Sequence, residues 1–435
     1  MMLAYYIFFS LVLCLIGPFL LVNAKARAGL GQKLGRIPLD LVKAKGEIRG
    51  AMWLHAVSVG EFNAILPLVM ALHQKYPRLP LVVSTTTKTG QDLAGQKLAG
   101  VARTFYFPFD LPFAINSWLD FVRPSSVVIA ETEIWPGFVD MARANGIPLA
   151  VVNGRMSPKS FKGYARWKFF FGPVLRRFSV IGVQNEDERS RYRAVGGSTL
   201  PVVVLGNLKY DGLVPLPPEK IRALKSELGI TDDTIVIVAG STHEGEETAM
   251  LDAYASILQT ALGQRGKMLL VLVPRHHERF DHVAQLIEQR GLILKRFSRG
   301  DRLDGAANPV FLLDTIGKLF DFYSLADVAF VGGTFAPIGG HNIMEPYAFG
   351  VPVLIGPRYE KTRDSAKALL AKDAIVVCQS TDALSGQLLQ LLNDPILRKQ
   401  KGMAGREILQ ESQGAVQNAM EMLAPFIAKS MQDHG

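Results

Sequence analysis

Residues 330–346 read FVGGTFAPIGGHNIMEP. An apolar, β-rich run ends in a loop with four glycines, and a helix is predicted to open near His341 and Asn342 with Glu345 in its first turn. Gly332, Gly333, Gly339 and Gly340 let backbone approach a ligand closely, and a helix N-terminus turns unpaired N–H groups toward an anion. Asn342 and Glu345 suit the hydroxyls of a base or ribose. A strand that runs through a glycine loop into a helix is the local unit of a parallel α/β sheet.

The same alternation extends in both directions. Apolar runs at 234–240, 268–274, 292–297, 328–333, 351–356 and 374–379 predict strands of one half, and the tail after about 384 reads as helix alone. Upstream, runs at 51–57, 79–86, 103–108, 125–131, 147–153, 179–184 and 202–206 predict a second series. The proline cluster Leu213–Val–Pro–Leu–Pro–Pro218 separates them, because clustered prolines block both helix and central strand. The fold expected is α/β: two Rossmann-like domains facing a cleft, with an N-terminal membrane anchor helix. The expected divisions are 1–24 for the anchor, 25–213 for an acceptor-binding domain, 214–405 for a donor-binding domain, and 406–435 for a C-terminal helix packing back on the first domain.

A length of 435 residues suits two domains rather than one core. The net charge of +9 favours anionic partners. Its basic residues are dispersed and no recognised binding motif appears, so nucleic acid is not among the expected partners. Two cysteines, Cys14 and Cys378, at unrelated places argue against a disulfide framework or a zinc site.

Residues 4–22 carry no charge, and at ~1.5 Å per residue they nearly cross a ~30 Å hydrocarbon core. Lys25, Arg27, Lys33, Arg36, Lys43 and Lys45 follow, interrupted by Asp40 alone. The positive-inside rule then places the body on the cytoplasmic side of a single-pass anchor, which Pro18 would kink. Residues 159–177 interleave six basic side chains with aromatic ones, a second candidate element for lipid contact.

Three further patterns offer chemistry. In HAVSVGEFNA (55–64), a strand stops before Gly60 and a helix starts near Glu61. A carboxylate there can act as a general base or simply complement the helix dipole. In VVIAETEIWPG, Glu131 and Glu133 follow a buried strand and would share a face if the strand continued. Gly240–Ser241–Thr242–His243 and Arg275–His276–His277 both follow strands of the second half, where phosphate is commonly held.

Taken together, HAVSVGE, ETEIWP, NGRMS, GNLKYD, VPRH, FVGGTF and GGHNIMEP resemble, in order and over nearly the whole chain, the 3-deoxy-D-manno-octulosonic acid (Kdo) transferases of lipopolysaccharide assembly. The resemblance implies a GT-B fold and inverting transfer of Kdo from CMP-Kdo to a lipid A precursor at the inner membrane. It assigns Glu61 as general base, and Glu131 and Lys209 as stabilising the transition state. It assigns CMP to Arg275, His276, Ile316, Gly317, Lys318, Asn342, Ile343, Met344 and Glu345. Lys318 departs from the glutamate usual in similar proteins, which leaves backbone contacts at Ile316 and Gly317. The leaving group carries one phosphate and no Asp-x-Asp motif ends a strand, so no metal and no cofactor is expected. The alternatives are a GT-B transferase of another nucleotide sugar and a non-catalytic, membrane-tethered nucleotide- or lipid-binding protein.

Overall fold

The apolar runs of the first half form seven strands: β1 Met52–His55, β2 Leu81–Thr85, β3 Arg103–Tyr106, β4 Ser126–Ala130, β5 Leu149–Gly154, β6 Val180–Val183 and β7 Val202–Val204. All pair in parallel, in the order β3-β2-β1-β4-β5-β6-β7. The second half forms β8 Thr234–Thr242, β9 Lys267–Pro274, β10 Leu294–Arg296, β11 Val310–Leu312, β12 Val328–Val331, β13 Val353–Ile355 and β14 Ile375–Val377. These too are parallel, ordered β10-β11-β9-β8-β12-β13-β14. The computed structural model describes residues 2–23 and 27–432; Lys25 of the basic stretch lies outside the described residues.

One strand, β11, is absent from the sequence reading. It spans Val310–Leu312, in a four-residue apolar run between Pro309 and Asp314. A second difference lies in the segment that opens the sequence reading: no α-helix starts at His341. The chain turns through 343–345 and makes one 3₁₀ turn, Pro346–Phe349, because Pro346 and the left-handed Gly350 (φ 71°) stop it from extending.

The chain divides into two compact units, Met1–Gly212 with Ser412–Gly435, and Leu213–Glu411. The first unit resumes at Ser412, directly after the helix Pro395–Glu411.

Parallel sheets bury both faces, so each needs a helical layer on either side. One face of the first sheet packs Trp53, Phe105, Trp118 and Phe138 in mutual edge and stacked contacts. The other is covered by the helix Val59–Lys75 and by Ala415, Ala419, Leu423 and Ile427 of the C-terminal helices. Asp211 fixes that return by accepting N–H bonds from Gly414 (2.9 Å) and Val416 (2.6 Å). Ahead of the first sheet stands one apolar helix, Met2–Val22, with an exposed face and a composition long and apolar enough for a membrane.

In the second unit the helix Pro395–Glu411 lies against the 346–350 turn without room for a side chain. A Cβ at Gly402 would overlap the Gly350 carbonyl, and one at Gly405 the Tyr347 ring. Gly402→Ala is expected to destabilise this unit by about 1–3 kcal/mol, read as a lower urea midpoint in far-UV circular dichroism.

Candidate functional site

In an open parallel sheet, ligands bind beyond the carboxyl ends of the strands where the strand order reverses. The reversals here lie between β1 and β4 in the first unit and between β8 and β12 in the second. Both carry the polar residues singled out from sequence.

In the first unit, β1 ends at His55 and the chain turns into the helix Val59–Lys75. Ser58 caps that helix, and Glu61 closes a capping box: its Oε2 accepts from the Val57 N–H at 2.8 Å and its Oε1 from the Ser58 hydroxyl at 3.3 Å. The carboxylate is also largely removed from water. Burial first, with the charges of Glu133 and Glu131, raises its pKa to about 7 against the opposing bonds from the Val57 N–H and Ser58. Capping and base chemistry are therefore compatible in one side chain.

Beyond β4, Glu131 takes a left-handed backbone (φ 54°), so the strand does not continue and the shared face predicted for Glu131 and Glu133 does not form. The turn instead points the Glu131 carboxylate at Lys209, whose Nζ donates to Oε1 at 2.8 Å. Lys209 sits in the short helix Leu208–Asp211, held by a buried asparagine that sequence reasoning passed over. Asn153, itself left-handed (φ 56°), accepts the Leu208 N–H at 3.1 Å and reaches Glu131 Oε1 at 3.5 Å. Its signal was a polar residue closing an otherwise apolar strand.

In the second unit, β8 runs to Thr242 with a bulge at the left-handed Ser241 (φ 55°). The glycine loop after β12 then wraps Glu246, which is buried and whose importance was not evident from sequence. Its Oε2 accepts from His243 N (2.9 Å) and Gly333 N (2.7 Å), and its Oε1 from Thr334 N (2.9 Å) and Phe335 N (2.8 Å). The signal available was a pair of acids, Glu246 and Glu247, immediately after a strand end.

His243 and His341 lie end to end in one plane, joined by a hydrogen bond between their Nε2 atoms at 2.8 Å, and the His276 ring lies 5.4 Å from His243. Burial first, then Arg275, lowers the His341 pKa to about 3, and burial also lowers His243. Both rings are neutral near pH 7. Glu345 receives the Asn342 amide at 3.1 Å; burial raises it to about 7 against the pull of Asn342 and Arg275. Arg275 is exposed and makes no ion pair among the described residues.

Arg275, His276, His341, Asn342 and Glu345 thus form one electrostatically coupled group. Ile343 and Met344 are buried, so their side chains anchor the loop and leave only backbone for a ligand. Ile316 is exposed, Gly317 is left-handed (φ 86°), and Lys318 faces Asp321 at 3.7 Å; no hydrogen bond or ion pair joins these three to Arg275 or Glu345. Among the described residues no group of three His, Cys, Asp or Glu side chains could hold a metal ion.

Two parallel seven-stranded sheets, each with charged residues at its reversal point, define a fold of the GT-B type. The fold matches HepE from Anabaena, solved with UDP (TM-score 0.56, 13 % identity, 87 % of this chain and 99 % of that one). It also matches MurG from Acinetobacter baumannii (TM-score 0.52, 14 % identity, 87 % and 99 %). Residues 28–212 match the family described as 3-deoxy-D-manno-octulosonic-acid transferase (kdotransferase). The 3-deoxy-D-manno-octulosonic acid transferase of Haemophilus influenzae is 32 % identical over 97 % of this chain and 96 % of its own length. That of Bordetella pertussis is 32 % identical over 88 % and 89 %. The chain belongs to the family of 3-deoxy-D-manno-octulosonic acid transferases.

Removing the Glu246 carboxylate would strand several buried N–H groups, each costing roughly 1–3 kcal/mol when unsatisfied. In Glu246→Ala, the amides of residues 333–335 are expected to lose most of their protection in hydrogen exchange, and in Glu246→Gln only part of it.

Proposed function

We propose that the chain transfers Kdo from CMP-Kdo to a hydroxyl of a lipid A precursor, with inversion at the anomeric carbon. The observation that carries the reading is Glu61: a carboxylate at the first sheet's reversal point, pushed by burial to about 7. At that value it is substantially ionised near neutral pH and still basic enough to take a proton from a sugar hydroxyl.

Glu61 accepts that proton while the hydroxyl oxygen bonds to the anomeric carbon. The bond from that carbon to the CMP phosphate oxygen breaks, and its electron pair leaves with CMP. Glu131 fixes Lys209, so an ammonium is already in place where negative charge from the Kdo carboxylate and the leaving phosphate would gather. Arg275 and His276 are the groups for the CMP phosphate, and Asn342 with Glu345 for its ribose or base; backbone of 316–318 and 343–344 completes the donor contacts. The acceptor falls to the first unit and the donor to the second.

The apolar helix would hold the enzyme at the inner membrane beside its lipid substrate, with the body on the cytoplasmic side as its basic flank indicates. Length allows a single crossing, the reading its composition gives; the bond from Tyr5, near the helix's N-terminal end, to Asp110 of the first unit leads to a different placement.

Mass spectrometry of products from CMP-Kdo and a tetraacylated lipid A precursor tests donor and acceptor together. No Kdo transfer, with turnover of a UDP-sugar, would favour another GT-B activity. Glu61→Ala is expected to lower kcat by about 10²-fold or more while CMP binding by calorimetry is kept; unchanged activity would remove Glu61 from the mechanism. Because the base works deprotonated, kcat should rise with pH through an apparent pKa of about 7. Glu133→Gln removes a neighbouring negative charge and should move that limb to lower pH.

A further inference from the structure

The apolar helix Met2–Val22 is fastened to the first unit near its N-terminal end. The Tyr5 hydroxyl donates to Asp110 Oδ2 at 2.6 Å. Asp110 is fully buried and also accepts the N–H groups of Gly137 (2.8 Å) and Phe138 (2.6 Å) in the first turn of the helix Pro136–Ala144. Tyr6 packs over Gly137 so closely that a Cβ there would lie 2.6 Å from its ring. The Tyr5 ring is 5.8 Å from that of Phe170.

The chain beyond the helix is fastened to the same place. Gly29 lies against the Tyr106 ring, the Gln32 carbonyl accepts from Trp118 Nε1 at 2.8 Å, and the Lys33 carbonyl accepts from Phe109 N at 2.8 Å. Phe109 and Asp110 are consecutive residues. Tyr5 and Val22, by contrast, are about 26 Å apart along the helix axis, nearly the ~30 Å of a hydrocarbon core. A helix crossing the bilayer upright would carry Tyr5 to the far face and tear it from Asp110.

With both attachments made, the helix beyond Tyr6 presents an apolar face that takes in most of its circumference. Ile7, Phe8, Leu11, Leu15, Phe19 and Val22 are each more than half exposed. Through Phe170 this face continues into the paired helices Pro158–Arg166 and Lys168–Leu175, where Trp167 and Phe169 are exposed. Lys159, Lys162, Arg166 and Lys168 surround them, and no acidic residue occurs between 159 and 177. An apolar face bordered by cations complements a lipid leaflet with anionic headgroups.

We infer that the helix lies in the plane of one membrane leaflet, keyed to the body by Tyr5 on Asp110, and forms with residues 159–171 a single surface for anionic lipid. This rests on the membrane anchorage proposed above. Its consequence is that both ends of the helix lie on the same side of the bilayer as the catalytic body.

The test uses the full chain in cells, with Cys14→Ser to remove the exposed native thiol and Met2→Cys as reporter. A membrane-impermeant maleimide is expected to label position 2 in inverted inner-membrane vesicles and not in intact spheroplasts. Labelling in intact spheroplasts, or in neither preparation, would overturn the in-plane placement while leaving anchorage standing. Recovery of the protein in the carbonate-washed soluble fraction would instead overturn the anchorage itself. With purified protein, flotation on vesicles containing phosphatidylglycerol is expected to exceed that on phosphatidylethanolamine alone, and Trp167→Ala with Phe169→Ala to reduce it by about ten-fold. Equal flotation of the variant, or self-association in place of flotation, would give this face to another partner.

Discussion

A carboxylate with almost no access to water shapes the second unit at the reversal point of its sheet. Glu246 alone would be an expensive group to bury. Five N–H groups at hydrogen-bond distance replace its hydration, and they come from both sides of the sheet's reversal point, His243 after β8 and Gly333 to Ala336 after β12. Thr334 extends the tie by donating to the Val331 carbonyl and accepting from the Gly356 N–H. The conformation of the glycine loop, the approach of His341 to His243, and the position of Asn342 and Glu345 all follow from this one ion and its donors. The loop is flexible in composition and fixed in place.

The first unit solves a similar problem with the opposite outcome. Glu61 also sits at a reversal point and also accepts a backbone N–H, but it has fewer donors and two acidic neighbours. Burial and those acidic neighbours together push its pKa up to about 7. Lys209 is held near Glu61's acidic neighbours by Glu131 and Asn153, so the cation is placed without a long flexible search.

Thirteen of the fourteen strands were legible as apolar runs, because strands buried on both faces write themselves as near-continuous Val, Ile, Leu and Ala. The missing one, β11, borrows its stability from β9 and β10 and leaves only three residues in the sequence. The helix expected after His341 is stopped by Pro346 and the left-handed Gly350; the close approach of Gly350 to Gly402 that the tight turn brings about is visible only in three dimensions. Site residues at strand ends were readable because topology places ligands there. Their partners were not, since Asn153 and Glu246 act through backbone groups brought near by folding. Tyr5 near the start of the apolar helix and Lys33 in the chain beyond it likewise look independent in sequence, yet they bond the consecutive residues Asp110 and Phe109.

The return of the C-terminal helices to the first sheet also bears on how the chain is made. One face of that sheet is finished only by Ala415, Ala419, Leu423 and Ile427, about two hundred residues after the last strand β7 has been synthesised. At translation rates of about 5–20 residues per second, that face waits roughly 10–40 s for its cover. The second unit is continuous in the chain and can close before it. Biogenesis therefore runs out of order: the domain begun first is completed last, with its apolar helix already synthesised and its uncovered sheet a natural client for a chaperone at the ribosome exit.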